Sequence, residues 1–350
     1  MDKKSIFFIG LSIAILVVML YLVGIDSIIA ALEMADKGLI LLAIGLELST
    51  IFLYTLRWYV LNKVADINTN LKKLFPMILV GLAINNITPS GRGGGEPVRA
   101  YILSREEDLP MENTFATVVA DRTLDTFPFL VLAVIAVIGV ILYFPMNPLI
   151  LALMIIAVIE ILVLLLIIIY MSINRKFGER VNGWIIGLSR RFYKKNTPEF
   201  EDKFTSVVMG FQDTMNRMVD DKKVMVYALP LSFIIWIFEI LRVYIIFLAF
   251  GAVLSPLIIA EVFIIASLVG MIPLLPGGLG AVDGIMIIFY LTAGITPSLA
   301  AAATVVERLI SFWLPTILGM VILPYYGSSI LDKISFSSSE DKLIEELDDE

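Results

Sequence analysis

Long apolar runs constrain this chain before any motif is considered. Ile6 to Gly24, Gly38 to Leu61, Phe127 to Phe144, Leu149 to Met171, Val224 to Phe250 and Pro297 to Tyr325 are each suited to a membrane crossing. A helix needs about 20 apolar residues, at ~1.5 Å each, to traverse a ~30 Å hydrocarbon core. With 59% of its 350 residues hydrophobic and 17% charged, the sequence reads as an all-α polytopic membrane protein. The first run follows Lys3 and Lys4 as a signal peptide would. It is too long for one and no small-x-small cleavage site follows, so it reads as a retained anchor. Cysteine and histidine are both absent, which excludes disulfides, thiolate nucleophiles, Cys/His zinc sites and imidazole triads.

Lysine and arginine concentrate on alternate connections, and the cation-rich side of a membrane protein faces the cytoplasm. The insert 172–223 holds the densest run of them, and Lys3, Lys4, Lys63, Lys72 and Lys73 join it on that side. The N-terminus, the insert and the C-terminus are thus expected inside a prokaryotic cell membrane, with Phe177, Trp184 and Phe211 marking amphipathic helices on the inner leaflet. The net charge of −7 owes much to Glu340–Glu350, within an acidic tail, 327–350, that reads as solvated. Lys73 and Thr126 both fall inside in this scheme, so the chain between them crosses an even number of times. Leu74 to Ile87 is too short to span and runs into a glycine loop. A re-entrant hairpin that returns by Arg105 satisfies both facts, provided its turn is buried in protein or lines a wet cavity.

The two halves resemble one another at a shift of 187 residues that drifts by one or two. Pro89, Glu96, Pro110 and Pro128 recur 187 residues later as Pro276, Asp283, Pro297 and Pro315. Leu56-Arg57-Trp58-Tyr59 is similar to Leu241-Arg242-Val243-Tyr244, and Thr117 to Arg122 to Thr304 to Arg308. Repeats 38–139 and 224–325 follow, within one transmembrane domain, 1–326. Because Gly38 to Leu61 runs inward and Val224 to Phe250 outward, the repeats are inverted. About seven transmembrane helices and two re-entrant glycine-loop hairpins result, an arrangement of secondary transporters whose site lies where the halves meet.

Charges stand at membrane depth. Arg57, Arg92, Arg99, Arg122, Arg242 and Arg308 are matched by Glu96, Asp121, Asp125, Glu239, Asp283 and Glu307. Each costs roughly 2.5 to 3.5 kcal/mol near a helix centre, so they must be paired or wet. Glu239 with Arg242, and Arg122 with Asp125, are three apart on a helix and can pair locally. Glu47, Glu160 and Glu261 lie in apolar runs and could each carry a proton or form a neutral hydrogen bond. The glycine loops expose backbone N–H groups able to cradle an anion, with Arg92 and Arg99 beside the first. Neither loop fits a nucleotide-binding pattern, and no cofactor or metal is expected.

The string Asn85 to Ala100, then Asp121-Arg122, Leu275-Pro276-Gly277-Gly278-Leu279-Gly280 and Glu307-Arg308, resembles the lysylphosphatidylglycerol synthase transmembrane-region family. The resemblance implies a flippase-like module, found alone in bacteria and archaea or fused to an aminoacyl-lipid synthase domain. Here only a short acidic tail follows Tyr325, so synthase activity does not carry over. The resulting expectation is a transporter of an anionic or zwitterionic lipid, or of a polyprenyl-phosphate carrier, with a membrane lipid as substrate. The expected binding residues are Arg92, Gly93, Gly94, Gly95, Glu96, Arg99, Asp121, Arg122, Arg242, Pro276, Gly277, Gly278, Gly280, Asp283, Glu307 and Arg308. A lipid-modifying enzyme and an accessory subunit of a lipid-synthesis complex are the alternatives. A homo-oligomer or a lipid-synthesis enzyme remains open as partner; nucleic acid is not expected.

Overall fold

The apolar runs become helices whose ends are set by local chemistry. Asp36 caps the first, accepting from the Leu39 N–H at 3.0 Å, and Asn70 caps the second, accepting from Lys73 N–H at 3.0 Å. Proline opens several others, where its missing N–H costs nothing. The computed structural model describes residues 33–88, 93–143, 148–174, 198–270 and 280–326, with 176, 177, 180, 183, 184, 186 and 278. In chain order the helices are α1 (Lys37–Val64), α2 (Leu71–Ile87), α3 (Gly95–Glu106), α4 (Met111–Tyr143), α5 (Pro148–Ile173) and α6 (Pro198–Asp220). There follow α7 (Val224–Ala249), α8 (Pro256–Gly270), α9 (Ala281–Thr292) and α10 (Pro297–Tyr326). A π-helical turn opens α7 at Val224–Ala228 and another interrupts α10 at Leu309–Trp313. The Ile6 to Gly24 anchor, Arg92, Pro276, Gly277 and the 327–350 tail fall outside the described residues.

Among the described residues, α1, α4, α7 and α10 are long and apolar enough to cross a membrane. Their outer faces carry exposed Leu41, Phe52, Ile138, Ile237 and Val321, as contact with lipid requires. The chain is a multi-pass membrane protein. One boundary differs from the sequence expectation. The span placed at Phe127 begins instead at Met111, in a continuous helix of 33 residues, about 50 Å long. Thr126 is therefore mid-helix and not at a cytoplasmic end. The charges at 121–125 lower the local hydropathy of this stretch, but they are paired across the fold and do not end the helix.

Two helix pairs are hairpins. Gly81 of α2 lies against Gly95 of α3, and Lys73 reaches Glu107 at 3.0 Å. These contacts nest around the break between the helices, so α2 and α3 run antiparallel. A Cβ on Gly95 would come within 1.9 Å of the Gly81 carbonyl oxygen, so only glycine permits this approach. In the second pair, Gly278, at φ 67°, packs beside Gly270, and Gly280, at φ 78°, donates its N–H to Asp283 Oδ2 at 2.8 Å to start α9. Each hairpin rests on the long helix of the other half: Gly319 of α10 receives the Leu79 carbonyl of α2, and Gly139 of α4 receives the Glu261 side chain of α8.

The amphipathic helix α6 packs one face on protein. Its Met215 and Met218 are buried with Leu61, Ala116, Ala120 and Ala228, Phe211 packs against Phe115, and Thr214 hydroxyl bonds Asn113 at 3.3 Å. One face of this helix thus braces the first half of α4, while Val207, Met209 and Val219 stay exposed on it.

Candidate functional site

Two buried arginines organise the interior. Arg57 of α1, 1% exposed, donates from Nε to Asp121 at 2.7 Å, and from Nη1 to Asp125 at 2.9 Å and to the Ser232 hydroxyl of α7 at 3.0 Å. Asp121 is shared: its second oxygen accepts from Arg99 Nη2 of α3 at 2.8 Å. Arg99 is held over the Trp58 ring, 4.9 Å from its centroid, while Trp58 Nε1 donates to the Thr117 hydroxyl at 3.0 Å. Arg122 is the loosest member. It stands 3.7 Å from Asp125 and its side chain is 37% exposed.

Arg242 of α7, 0% exposed, centres the second cluster. Its Nη1 pairs with Glu47 of α1 and with Glu239 at 2.6 Å, and its Nη2 donates to Glu307 of α10 at 3.1 Å. Beside it, Arg308 pairs with Asp283 of α9 at 2.9 Å and stacks on Phe312, 4.4 Å from the centroid. The local pairs expected three apart on a helix, Glu239 with Arg242 and Arg122 with Asp125, are both present. The pairings between helices could not be read from spacing.

The two clusters mirror one another. Shifting by 185 residues takes Arg57 to Arg242 and Glu47 to Ser232; shifting by 186 takes Asp121 to Glu307 and Arg122 to Arg308. Each central arginine therefore binds an acid of its own half and the corresponding position on the first long helix of the other half. α1 and α7, which carry these arginines, pack directly on each other.

Between the clusters lies a cavity of about 170 Å³. Each of α1 to α4 and α7 to α10 contributes to its wall. Of the expected binding residues, Gly95, Glu96, Arg99, Asp121, Arg122, Arg242, Glu307 and Arg308 line it. Glu96 Oε1 accepts from Asn85 Nδ2 at 3.4 Å, while its Oε2 is enclosed and has no hydrogen-bond partner among the described residues. Asn85 also accepts from the Gly95 N–H at 2.6 Å, fixing the start of α3. Gly93 and Gly94 lead into that helix. Gly278, Gly280 and Asp283 are not part of the wall, although Asp283 acts on it through Arg308. Sequence reasoning left Glu47 unranked and passed over Tyr54, Asn86, Ser232, Trp236 and Phe263. Asn86 ties the halves together, donating to the Phe312 carbonyl at 3.1 Å and to the Thr316 hydroxyl at 2.8 Å at the π-helical turn of α10. The other two carboxyls from apolar runs separate clearly. Glu160 is exposed on α5, whereas Glu261 is buried, its Oε1 without a hydrogen-bond partner among the described residues.

Residues 6–319 match the family model described as the lysylphosphatidylglycerol synthase TM region. The chain belongs to that family. It is 52% identical over 334 residues to a UPF0104 membrane protein of Methanothermobacter thermautotrophicus, covering 95% of this chain and 99% of that protein. A UPF0104 membrane protein of Methanocaldococcus jannaschii is 34% identical across 92% of this chain and 94% of its own length. One from Pyrococcus horikoshii is 30% identical across 92% and 97%. The family region spans both hairpins and both arginine clusters.

Proposed function

We propose that this chain is a flippase-like transporter that carries a polar lipid headgroup between leaflets through the central cavity. The observation that supports this reading most strongly is the wall of that cavity, built from all four helices of each half around paired buried charge. Such charge is expensive inside a membrane and is kept where a polar substrate passes. A cavity of about 170 Å³ is smaller than the roughly 300–1,000 Å³ of sites that enclose a whole drug-sized ligand. It suits a headgroup whose hydrocarbon chains stay in the bilayer.

Formal charge gives the cavity two unlike ends. Arg57, Arg99 and Arg122 match Asp121, Asp125 and Glu96 at the first end, whereas at the second Arg242 and Arg308 face Glu47, Glu239 and Glu307, an excess of one carboxyl. Phosphate oxygens belong at the first end, and Arg122 is the cation with side-chain surface still open to them. In this reading the hairpins are re-entrant. α2 and α3 have 17 and 12 residues, and α8 and α9 have 15 and 12; at ~1.5 Å each none but α2 approaches the hydrocarbon thickness. The hairpins enter from opposite sides, the insert and both termini are cytoplasmic, and the interrupted helices meet near mid-membrane.

The test is reconstitution into liposomes with fluorescent phosphatidylglycerol and phosphatidylethanolamine, followed by chemical quenching of the outer leaflet. Wild-type protein should speed exchange above empty vesicles, and Arg122→Ala should lower it. Exchange no faster than in empty vesicles for every lipid tried would sink the proposal. Orientation is tested separately with an impermeant maleimide, since the sequence has no cysteine. Thr296→Cys should label in intact cells and Asp108→Cys only after lysis.

A further inference from the structure

The two arginine clusters differ at one position, and we propose that this difference makes Glu47 a proton-binding site within the cavity. Arg57 meets two carboxylates, Asp121 and Asp125, and one neutral acceptor, the Ser232 hydroxyl. Arg242 meets three carboxyls, Glu239, Glu307 and Glu47. The shift of 185 that takes Arg57 to Arg242 also takes Glu47 to Ser232. Glu47 thus occupies the place held in the other half by an uncharged group.

A proton on Glu47 makes the direct partners of the two central arginines alike. Each central arginine then faces two carboxylates and one neutral oxygen, and the carbonyl oxygen of the neutral acid still accepts from Arg242 Nη1. With all three acids ionised, the cluster carries two negative charges in excess, at 4% exposure for Glu47 and 2% for Glu307. A buried carboxylate without its own counter-charge is strongly disfavoured even after relaxation. Protonation removes one such charge while keeping every contact. Arg242 cannot supply further compensation through Nε, which is enclosed and has no hydrogen-bond partner among the described residues.

The surroundings allow exchange. Glu47 lines the cavity together with Glu239, whose side chain is 13% exposed, so water in the cavity can deliver the proton and take it back. The charged groups facing it are Arg242 and Glu239 from α7 and Glu307 from α10, with Tyr54 beside it on its own helix; Asp125 and Arg57 face Tyr54. α2 brings none between Leu74 and Ile87. The proton belongs on Glu47, the carboxyl that stands where the other half places the neutral Ser232 hydroxyl. Proton binding stands on the cluster alone; its coupling to lipid movement rests on the transport reading above.

Two measurements keep these apart. Infrared difference spectroscopy of the full chain in liposomes, stepped from about pH 5 to about pH 9 to cover exposed and enclosed carboxyls, reads the protonated carboxyl band directly. Wild type should lose a band on the upward step, Glu47→Gln should lack that change, and Glu239→Gln should retain it. No band in wild type, or a band that survives Glu47→Gln and vanishes in Glu239→Gln or Glu307→Gln, overturns the site. In the second, a pH gradient is imposed during exchange of fluorescent phosphatidylglycerol. Wild type should respond by up to about tenfold per pH unit for one proton, and Glu47→Gln should show no response to the gradient. An equal response in both variants overturns the coupling. A wild type that exchanges no lipid, with the infrared result intact, refutes the transport reading and leaves the proton site standing.

Discussion

Arg57 and Arg242 do the same job in opposite halves, yet their neighbourhoods have opposite balance. Around Arg57, three guanidinium groups share Asp121 and Asp125; around Arg242, one guanidinium serves three carboxyls. The two halves place their central arginines at equivalent positions, while the residues around them differ. In the proposed reading one end of the cavity receives an anion, and the other takes up a proton. Similar geometry therefore does not imply similar energetics, and single substitutions should separate the two clusters.

The largest effect is expected at Arg242. Replacing it with methionine strands Glu47, Glu239 and Glu307 together, and removing one partner of a buried ion pair costs about 3–5 kcal/mol. Arg57→Met leaves Asp121 with Arg99, and Asp125 with Arg122, so its loss should be smaller. Thermal unfolding in detergent micelles compares them; equal losses would show that charge balance does not distinguish the clusters. Arg242→Met with Glu307→Gln should recover part of the stability, because one stranded charge is removed with the arginine.

Next come the close approaches that hold the hairpins to the frame. Gly319→Ala would bring a Cβ within 2.1 Å of the Leu79 carbonyl oxygen, and Gly95→Ala within 1.9 Å of that of Gly81. Overpacking of this kind costs typically 1–3 kcal/mol, and backbone atoms give way less readily than side chains. Gly45→Ala meets nothing within 4 Å on α1 and should raise stability by about 0.5–1 kcal/mol through the unfolded chain's lost freedom. A melting series that ranks Gly45→Ala with the other two would contradict the hairpin packing.

Much of the frame was legible because hydrophobic length is a local property. α1, α7 and α10 follow the apolar runs almost to the residue, and the i,i+3 pairs are local as well. The start of α4 was not legible. Asp121, Arg122 and Asp125 lower its hydropathy, and their partner Arg57 lies 64 residues away from Asp121. Glu47 stayed unranked for the same reason, since Arg242 is 195 residues distant. The repeat shift held the missing information, but it pairs a glutamate with a serine, and only the structure shows both residues accepting from equivalent arginines. The glycines announced tight turns. Which ones touch another helix depended on packing that no spacing encodes.

A smaller stability effect is expected at Arg122, together with a large functional one. Its 3.7 Å pair and 37% exposure place it among ion pairs worth roughly 0–1 kcal/mol. Arg122→Ala should therefore melt close to wild type yet lose lipid exchange, whereas Arg57→Met loses stability first. An Arg122→Ala protein that melts far below wild type would mean that this guanidinium is structural, and would move the anion end of the cavity elsewhere.

The smallest effect lies outside the spans, where Lys73 and Glu107 clasp the open end of the first hairpin. Lys73 Nζ is 3.0 Å from Glu107 Oε1, and the hydrogen bond to that carboxylate raises the lysine's pKa above its ordinary value. A group whose folded pKa is raised stabilises most below its unfolded value, about 10.4 for lysine, and the contribution fades as pH climbs through the folded pKa. The clasp should thus be constant across neutral pH and weaken only in alkali. The second hairpin offers a contrast, because its start is fixed by Asp283 accepting from the Gly280 backbone N–H, a donor that does not titrate there. Hydrogen exchange of the 71–87 and 281–292 peptides, corrected for the intrinsic rate, should therefore diverge above about pH 10. Lys73→Met should remove the divergence, and parallel behaviour of both hairpins in wild type would show that the clasp contributes nothing.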